Sequence, residues 1–207
     1  MKQLTGRQNE IIEASLAILA RQGVKGLTIK NISEKVGFRD AAVYRHFRDK
    51  REILRTIADL FEAKSRSTLE MITGLPAPAV EKIGMFFRDR CRLFAADRTW
   101  TAVMFSEEVF KTDPGLSAKT NAIIRAHQRL LVDVIRKGQS RGEVTPADPG
   151  HIFLVIMGSL RLLVTQWLAQ GCRFDLVREG ERLWRTVESL ISIPKRGEKN
   201  EKKNHPH

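Results

Sequence analysis

The chain has 207 residues, and its 36 lysines and arginines against 24 acidic residues give a formal net charge of +12. This length suffices for one large domain or two small ones, and the charge favours a polyanionic partner such as nucleic acid or an anionic membrane surface. Cys91 and Cys172 lie far apart without metal-ligand spacing, which argues against a zinc site and against a secreted disulfide scaffold.

The hydrophobic pattern gives no sign of a targeting or membrane segment. The first 23 residues contain acidic side chains and no continuous apolar run, so we do not expect a signal peptide. The most apolar run, residues 152–160, is nine residues long, against the ~20 that a membrane span needs. We therefore expect a cytoplasmic protein with reduced cysteines and no membrane partner.

Helical periodicity begins near the N-terminus. Apolar or small side chains recur at i, i+3, i+4, i+7 and i+8 between Asn9 and Arg21, and Gly23 is placed to end this helix. Thr28 then offers an N-cap hydroxyl to a short helix that Gly37 closes, since glycine readily adopts the left-handed conformation. A second short helix is predicted from Asp40 to Phe47.

The rest of the chain also has the pattern of helices. Asp49 is placed to cap a long helix that runs to residues 73–78, where one glycine and two prolines interrupt the pattern. Further helices are predicted at 79–96, 99–110, 114–141, 149–170 and 174–192. Asp-Pro pairs begin two of them, and Gly142 and Gly171 stand where C-caps belong. No strand pattern appears, so we expect an all-α fold of about nine helices.

Residues 28–50 are the most informative stretch. Two short helices joined by a glycine-containing turn and packed on an earlier helix make a helix-turn-helix, whose second helix enters the major groove of DNA. The outer face of that second helix carries no acid and comprises Ala41, Tyr44, Arg45 and Arg48. This face can therefore approach DNA closely.

The sequence LTIKNISEKVGFRDAAVYRHFRDKREIL resembles the N-terminal domain of TetR-type transcriptional regulators. The shared features are a helix-opening threonine, a glycine-hydrophobic turn, a hydrophobic-Tyr-x-His-Phe core and a later lysine, which here are Thr28, Gly37-Phe38, Val43 to Phe47 and Lys50. The close match covers about residues 11–54, and the remainder matches in architecture alone.

The resemblance implies a three-helix DNA-binding domain at residues 1–50, followed at 51–193 by a helical effector-binding and dimerisation domain. Residues 194–207 are charged and lack large apolar side chains, so we expect a disordered basic tail there. The family's phosphate contacts carry over to Thr28, Tyr44, His46 and Lys50, which can hold phosphate oxygens beside a helix amino end. His46 can equally be a structural hydrogen-bonding residue.

Base reading is expected from the turn and the start of the recognition helix. The candidates are Arg39, Asp40, Ala41, Ala42 and Arg45. The arginines can bind guanine, the alanines can touch a thymine methyl, and the aspartate can accept from cytosine N4. Arg39 and Asp40 depart from the family pattern, and Asp40 can instead simply cap its helix.

The segment 151–171 is apolar nearly all round, so it must be buried on two sides, one of which can be a second copy of the chain. We expect a four-helix bundle made by two helices from each subunit, which spaces two recognition helices by ~34 Å on a palindromic operator. The predicted interface residues are Ile152, Ile156, Leu160, Leu163, Trp167, Leu183, Trp184 and Val187. A monomer with one deep core is the alternative.

An effector pocket is expected between the middle helices. Its predicted lining is Phe94, Trp100, Met104, Phe105, Glu108, His127, Met157 and Arg161. Aromatics and methionines at this spacing also describe an ordinary core. Glu108 in the pocket would select a cationic ligand and Arg161 an anionic one, and if the two pair neither is informative. His127 and His151 have no third ligand nearby, so no metal or other cofactor is expected.

The sequence contains no phosphate-binding loop, nucleophile motif or suitably spaced pair of catalytic acids, so we do not expect an enzyme. It predicts a one-component bacterial repressor that binds a palindromic operator as a homodimer and is released by an unknown small-molecule effector. The alternative is an architectural or division-related DNA-binding protein on the same fold, without an effector. A cavity in the C-terminal part would favour the first function, and a filled core the second.

Overall fold

The computed structural model describes residues 4–106 and 114–194. Within these ranges the chain forms nine α-helices and no β-strand, which confirms the all-α prediction. The helices are α1 (Gly6–Gly26), α2 (Ile29–Val36), α3 (Asp40–Tyr44), α4 (Lys50–Gly74), α5 (Ala79–Ala96), α6 (Arg98–Met104), α7 (Pro114–Ser140), α8 (Pro149–Ala169) and α9 (Leu176–Ile191).

The helix starts follow from capping side chains. Thr28 Oγ1 accepts from the backbone N–H of Asn31 at 3.1 Å at the start of α2, and Asp49 and Asp148 cap α4 and α8 in the same way. Gly37, with φ of 73°, ends α2 in the left-handed conformation and turns the chain toward α3.

Three predicted helix boundaries are wrong or lie partly outside the described residues. α1 continues to Gly26 across a kink at Gly23, where φ is 65°. α3 ends at Tyr44 instead of Phe47, because the amide of His46 bonds to the carbonyl of Val43 and tightens the chain into a turn. The helix predicted at 99–110 is α6, which ends at Met104, and residues 107–113 are not described.

The buried side chains form two separate hydrophobic clusters. The N-terminal cluster joins α1, α2, α3 and the first half of α4, and it includes Val103 of α6. The C-terminal cluster joins the second half of α4 to α5, α7, α8 and α9, and it contains the buried Trp167 and Trp184. Helix α4 therefore belongs to both clusters, with Ile53 in the first and Leu69 in the second.

Helices α5 and α9 approach each other closely through two glycines. A Cβ added to Gly84 of α5 would lie 2.8 Å from Nε1 of Trp184, and one added to Gly180 of α9 would overlap Sγ of Cys91. Burial raises the pKa of the Cys91 thiol to about 12, so this cysteine stays protonated and serves as packing.

By its length and apolar composition, helix α8 could cross a membrane. Core helices of soluble proteins often have the same length and composition. Its buried face lies within the C-terminal cluster, and its exposed face carries Leu154, Val155, Gly158 and Leu162, which we call the α8 stripe. The stripe gives α8 a second apolar face directed away from the protomer core.

The structure places most of the predicted dimer-interface residues inside the protomer. Six of the eight are buried inside the protomer's own core: Ile152, Ile156, Leu160, Trp167, Trp184 and Val187. A partner subunit cannot contact side chains that the protomer already encloses. Leu163 and Leu183 are partly buried and lie at the edge of a surface groove between α8 and α9.

Candidate DNA interface and ligand cavity

The two helices α2 and α3 are fixed to each other by the turn between them. The amide of Phe38 donates to the carbonyl of Ser33 at 2.8 Å, and the Ser33 hydroxyl donates to the carboxylate of Asp40. Val43 and Phe47 anchor the inner side of α3 in the N-terminal cluster. Asp40 therefore has a structural partner in α2, which favours its role in holding the turn over base reading.

The outer side of α3 is open to solvent. Tyr44 is 56% exposed, and Arg39, Ala41 and Arg45 are exposed beside it, while Ala42 is half-buried. Arg39 occupies the N-cap position of α3 but makes no capping hydrogen bond with its side chain. This arrangement leaves two guanidinium groups, a phenol and two small side chains on one convex face.

The predicted phosphate contacts surround this face. Lys50 is exposed at the first residue of α4, and Thr28 is exposed at the start of α2. His46 is half-buried, and its carbonyl accepts from Nε2 of Gln8 at 3.4 Å, which ties the turn to α1. The amino end of α4 is already occupied by the carboxylate of Asp49, so Lys50 is the positive group that α4 offers there.

Asp49 is held in its ionised state by this capping role. Its pKa is lowered chiefly by the hydrogen bond from the backbone N–H of Glu52, with smaller contributions from Arg51 and Arg48. An ionised carboxylate at the helix amino end stabilises α4. The carboxylate of Asp49 would also repel a phosphate close to Lys50. Phosphate binding therefore requires the ammonium group of Lys50 to extend beyond that carboxylate.

A cavity of about 340 Å³ lies between α4, α5, α7, α8 and the end of α6. Six of the eight predicted pocket residues line it: Phe94, Met104, Phe105, His127, Met157 and Arg161. Trp100 instead packs against the N-terminal cluster, because α6 turns that face toward α1. Glu108 lies outside the described residues, so its predicted role has no structural counterpart.

The cavity wall contains a buried polar chain that the sequence analysis did not identify. Arg90 of α5 donates from Nη1 to the hydroxyl of Ser65 on α4 at 2.6 Å, and Ser65 Oγ lies 2.8 Å from Nε2 of His127 on α7. Arg90 also bonds through Nη2 to the carboxylate of Asp89 at 2.5 Å. Arg90, Ser65 and His127 all line the cavity.

Two features of this polar chain bear on ligand binding. The Nε of Arg90 is buried and has no hydrogen-bond partner among the residues that the structure describes. The pKa of His127 is lowered to about 4, first by burial and then by the charge of Arg90, so the imidazole is neutral at pH 7. The cavity therefore offers an apolar surface with two arginines in its wall, Arg90 and Arg161, and an unused N–H donor on Arg90.

A sequence signal for Arg90 and Ser65 did exist. Arg90 interrupts the apolar stripe of α5 between Phe86 and Phe94, at four-residue spacing, and Ser65 interrupts the stripe of α4 four residues before Leu69. A polar side chain within a helix's buried stripe needs a partner, so such an interruption marks a candidate internal site. Among the described residues, no group of three metal-ligating side chains is present.

The cavity lies against the elements that carry the DNA-binding face. Ala58 of α4 belongs to the N-terminal cluster and also lines the cavity. Met104 of α6 likewise packs against that cluster and lines the cavity, while the adjacent Val103 is buried within the cluster. A molecule in the cavity would therefore touch side chains that support α1 and α4.

Family models match both parts of the chain. Residues 11–57 match the model for bacterial regulatory proteins of the tetR family, and residues 63–190 match the model for the C-terminal region of YsiA-like proteins. The helix-turn-helix thus falls in the first matched segment, and most of the residues that line the cavity fall in the second.

Several known proteins are similar over most of the chain. The fatty acid metabolism regulator protein of Bacillus subtilis is 25% identical over 181 residues, which cover 86% of this chain and 91% of that protein. The nucleoid occlusion factor SlmA of Photobacterium profundum is 20% identical over 191 residues, or 90% of this chain and 96% of that protein.

The fold is also that of solved regulators. The crystal structure of the transcriptional regulator FadR from Bacillus subtilis in complex with stearoyl-CoA superposes with a TM-score of 0.74 at 24% identity. The match covers 87% of this chain and 97% of that one.

Proposed function

Since this chain belongs to the TetR family of bacterial DNA-binding transcription regulators, we propose that it is a repressor that binds a palindromic operator as a homodimer and releases it when a small molecule fills the cavity. The family is one of regulators and not of enzymes, in agreement with the lack of catalytic motifs in the sequence. The proposal places the protein in the bacterial cytoplasm, on the nucleoid.

The observation that carries this proposal is the shared wall between cavity and DNA-binding domain. Ala58 and Met104 each touch both the N-terminal cluster and the cavity. A ligand that prefers one position of α4 and α6 over another changes the population of DNA-binding conformations by its difference in affinity for them. The effector acts in this way on the distance between the two recognition helices of the dimer.

On DNA, we assign positioning to the side chains that surround α3 and base reading to those on it. Thr28, Tyr44, His46 and Lys50 contact phosphates. Base edges are read by Arg39, Ala41, Ala42 and Arg45. Asp40, which sequence reasoning included as a base contact, is assigned the structural role, because its carboxylate accepts from Ser33.

We assign the dimer interface to the α8 stripe and the neighbouring edge of α9. Leu154 and Leu162 are 61% and 59% exposed, and Leu190 of α9 is 64% exposed. Exposed leucines on adjacent helices are favourable contacts for a second copy related by a two-fold axis. The partly buried Leu163 and Leu183, at the edge of the adjoining groove, keep their predicted interface role.

The effector is assigned to the fatty-acyl compounds. The cavity is walled mostly by aromatic and aliphatic side chains. One similar Bacillus subtilis protein is a fatty acid metabolism regulator, and the similar solved structure of FadR from Bacillus subtilis contains stearoyl-CoA. An alkyl chain matches such a wall because burial of its methylene groups is favourable by about 0.8 kcal/mol each. This assignment replaces the open choice between a cationic and an anionic effector.

The SlmA relatives favour a second candidate function, a nucleoid-binding protein that acts without a small-molecule effector. The cavity supports the effector-responsive regulator instead, since the second function does not require one. Both candidates use the same DNA-binding face, so the distinction lies in whether a ligand changes DNA binding.

Selection from a random duplex library, followed by anisotropy titration of the selected duplex, tests the proposal. We expect an inverted repeat that is bound far above a scrambled duplex and is released by stearoyl-CoA or decanoyl-CoA. Met157→Trp, which fills the cavity, serves as the matched variant: it should bind the duplex but resist release. A salt-sensitive affinity without sequence preference would reject the repressor and support the nucleoid-binding alternative.

A further inference from the structure

Within the proposed effector site, we propose that Arg90 is the residue that recognises the ligand's acyl group, through a hydrogen bond from its Nε–H to an acyl oxygen inside the cavity. The inference rests on the proposed function, since it specifies the chemistry of the same site. The acyl oxygen belongs either to a free carboxylate or to a thioester carbonyl, which share this acceptor.

The first support is the unusual state of the guanidinium group. Arg90 is 3% exposed, and its Nη1 and Nη2 donate to Ser65 and Asp89, whereas Nε has no partner within residues 4–106 and 114–194. A buried N–H without an acceptor costs about 1 to 3 kcal/mol. An acyl oxygen at Nε would remove this cost.

The second support is the charge balance around Arg90. Within the described part of the chain Arg90 has one ion pair, with the carboxylate of Asp89 on the outer side, which is 36% exposed. On the cavity side the polar neighbours are the Ser65 hydroxyl and the neutral His127. Because neither neighbour carries a negative charge, the positive charge of Arg90 inside the cavity can bind an anionic or strongly polarised oxygen.

The third support is the apolar wall next to Arg90. The guanidinium carbon lies 5.4 Å from the ring centre of Phe86, and Phe94 follows one turn further along α5. Phe105 packs edge-on against Phe94 with ring centres 5.1 Å apart. An acyl chain can therefore lie against these rings while its polar end reaches Arg90.

The opening of the cavity leaves room for a larger group beyond the acyl oxygen. Its lining includes the exposed Ile124 of α7, which lies outside the α8 stripe that we assign to the dimer interface. A free carboxylate needs no such exit, whereas the remainder of a thioester must extend through it. The site as described accepts either source of the acyl oxygen.

Arg90 also connects the ligand to the DNA-binding domain. Its bond to Ser65 reaches α4, the helix that is shared by both hydrophobic clusters. An oxygen that draws the guanidinium toward the cavity must alter the 2.6 Å contact with Ser65. Arg90 thus acts as the specificity-determining residue and connects the polar end of the ligand to α4 through Ser65.

Calorimetric binding of matched ten-carbon probes tests the assignment on the full-length protein. The probes are decanoate, decanoyl-CoA and decylamine, which share the alkyl chain and differ at its polar end. We expect the wild type to bind both acyl probes at least about 10-fold more tightly than the amine, because a hydrogen bond to a charged group contributes about 1.5 to 3 kcal/mol.

Arg90→Met should weaken both acyl probes about 10-fold to 100-fold, and it should leave decylamine unchanged or tighten it, because the substitution removes a like charge from the cavity. If the methionine variant fails to fold, Arg90→Lys takes its place in the test, because this substitution keeps the charge and removes the Nε–H. Arg92→Met removes an exposed arginine of the same helix and should change nothing. Arg161→Met tests the other arginine of the cavity wall, and loss of acyl binding there instead would overturn the assignment to Arg90.

A second measurement separates direct contact from a structural effect. Decanoate labelled with ¹³C at the carboxyl carbon should titrate at a lower pKa when bound to the wild type than when bound to Arg90→Met, since a neighbouring positive charge favours the carboxylate. Equal titration would reject the contact. Equal affinity of the wild type for all three probes would overturn the role of Arg90 but keep the apolar cavity, and no binding of any probe would overturn the acyl effector as well.

Discussion

The hydroxyl of Ser65 and Nε2 of His127 lie 2.8 Å apart across the contact between α4 and α7. Since Arg90 donates to the same hydroxyl, the hydroxyl proton can be given to His127, and this requires an unprotonated Nε2. Helices α4, α5 and α7 are thus joined by one chain of hydrogen bonds whose arrangement depends on a neutral imidazole.

We therefore predict that His127 stays neutral well below the usual histidine range. Burial, and next the charge of Arg90, lower its pKa to about 4, while nearby Glu62 opposes the shift. His127 takes up a proton near pH 6.5 in the unfolded chain but not in the folded one. The free energy of unfolding is therefore retained above pH 6.5 and falls by about 3 kcal/mol as the pH drops to about 4.

An NMR titration of the His127 Cε1 proton checks this prediction, with the resonance assigned by its loss in His127→Gln. The substitution should also reduce the fall in urea-unfolding free energy between pH 7 and pH 5. A His127 resonance that titrates near pH 6.5 would contradict the buried neutral state.

The close approach of α5 and α9 predicts a large effect from a single methyl group. A Cβ at Gly180 would overlap Sγ of Cys91, and both residues are buried. Gly180→Ala should therefore lower the unfolding free energy by about 1 to 3 kcal/mol, since overpacking displaces neighbours in a dense core.

Gly6→Ala is the matched control for this substitution. A Cβ at Gly6 meets nothing within 4 Å, so the change should be neutral or slightly stabilising. Urea unfolding at one protein concentration compares the two variants. Equal stability of Gly180→Ala and the wild type would mean that α5 and α9 can separate at little cost.

Features set by neighbours along the chain could be predicted from the sequence. Asp49 and Asp148 begin their helices as expected, Gly37 closes α2, and the predicted bounds of α5 agree with the structure. Each depends on a cap or a glycine within a few residues of the boundary. The family pattern around the helix-turn-helix is equally local.

Features set by distant packing could not be predicted. Ile156 and Leu162 are both apolar on a helix that is apolar nearly all round, so periodicity does not say which is buried; the structure buries the first and exposes the second. The contact of Ser65 with Arg90 and His127 joins residues 25 and 62 positions apart. One sequence contains no signal for such pairings beyond a polar residue in an apolar stripe.

The exposed α8 stripe predicts that a charge at Leu162 breaks the dimer. Leu162→Glu would place two like charges near each other across a two-fold interface and remove apolar contact, so we expect monomers at micromolar concentration. Met71→Glu is the control, because Met71 is 63% exposed on α4, away from the stripe. Analytical ultracentrifugation measures the result, and a dimer that persists in Leu162→Glu would move the interface elsewhere.

The exposed face of α3 predicts two distinct classes of DNA-binding variant. Lys50→Ala and Tyr44→Ala should weaken binding to the selected operator and to random duplex alike, because both side chains are assigned to phosphates. Lys50→Ala should also lower the slope of log affinity against log salt by about 1 for each subunit bound, whereas Tyr44→Ala should leave that slope unchanged, since tyrosine carries no charge.

Arg39→Ala and Arg45→Ala should instead change base preference at one position of each half-site, with a loss of about 1 to 3 kcal/mol on the operator. Arg136→Ala removes the same charge near the C-terminal end of α7, and it controls for a general electrostatic effect. Repeating the duplex selection with each variant measures the preference directly. Equal losses on operator and random duplex for Arg39→Ala and Arg45→Ala would assign these arginines to the phosphates, and base reading would then rest on the two alanines alone.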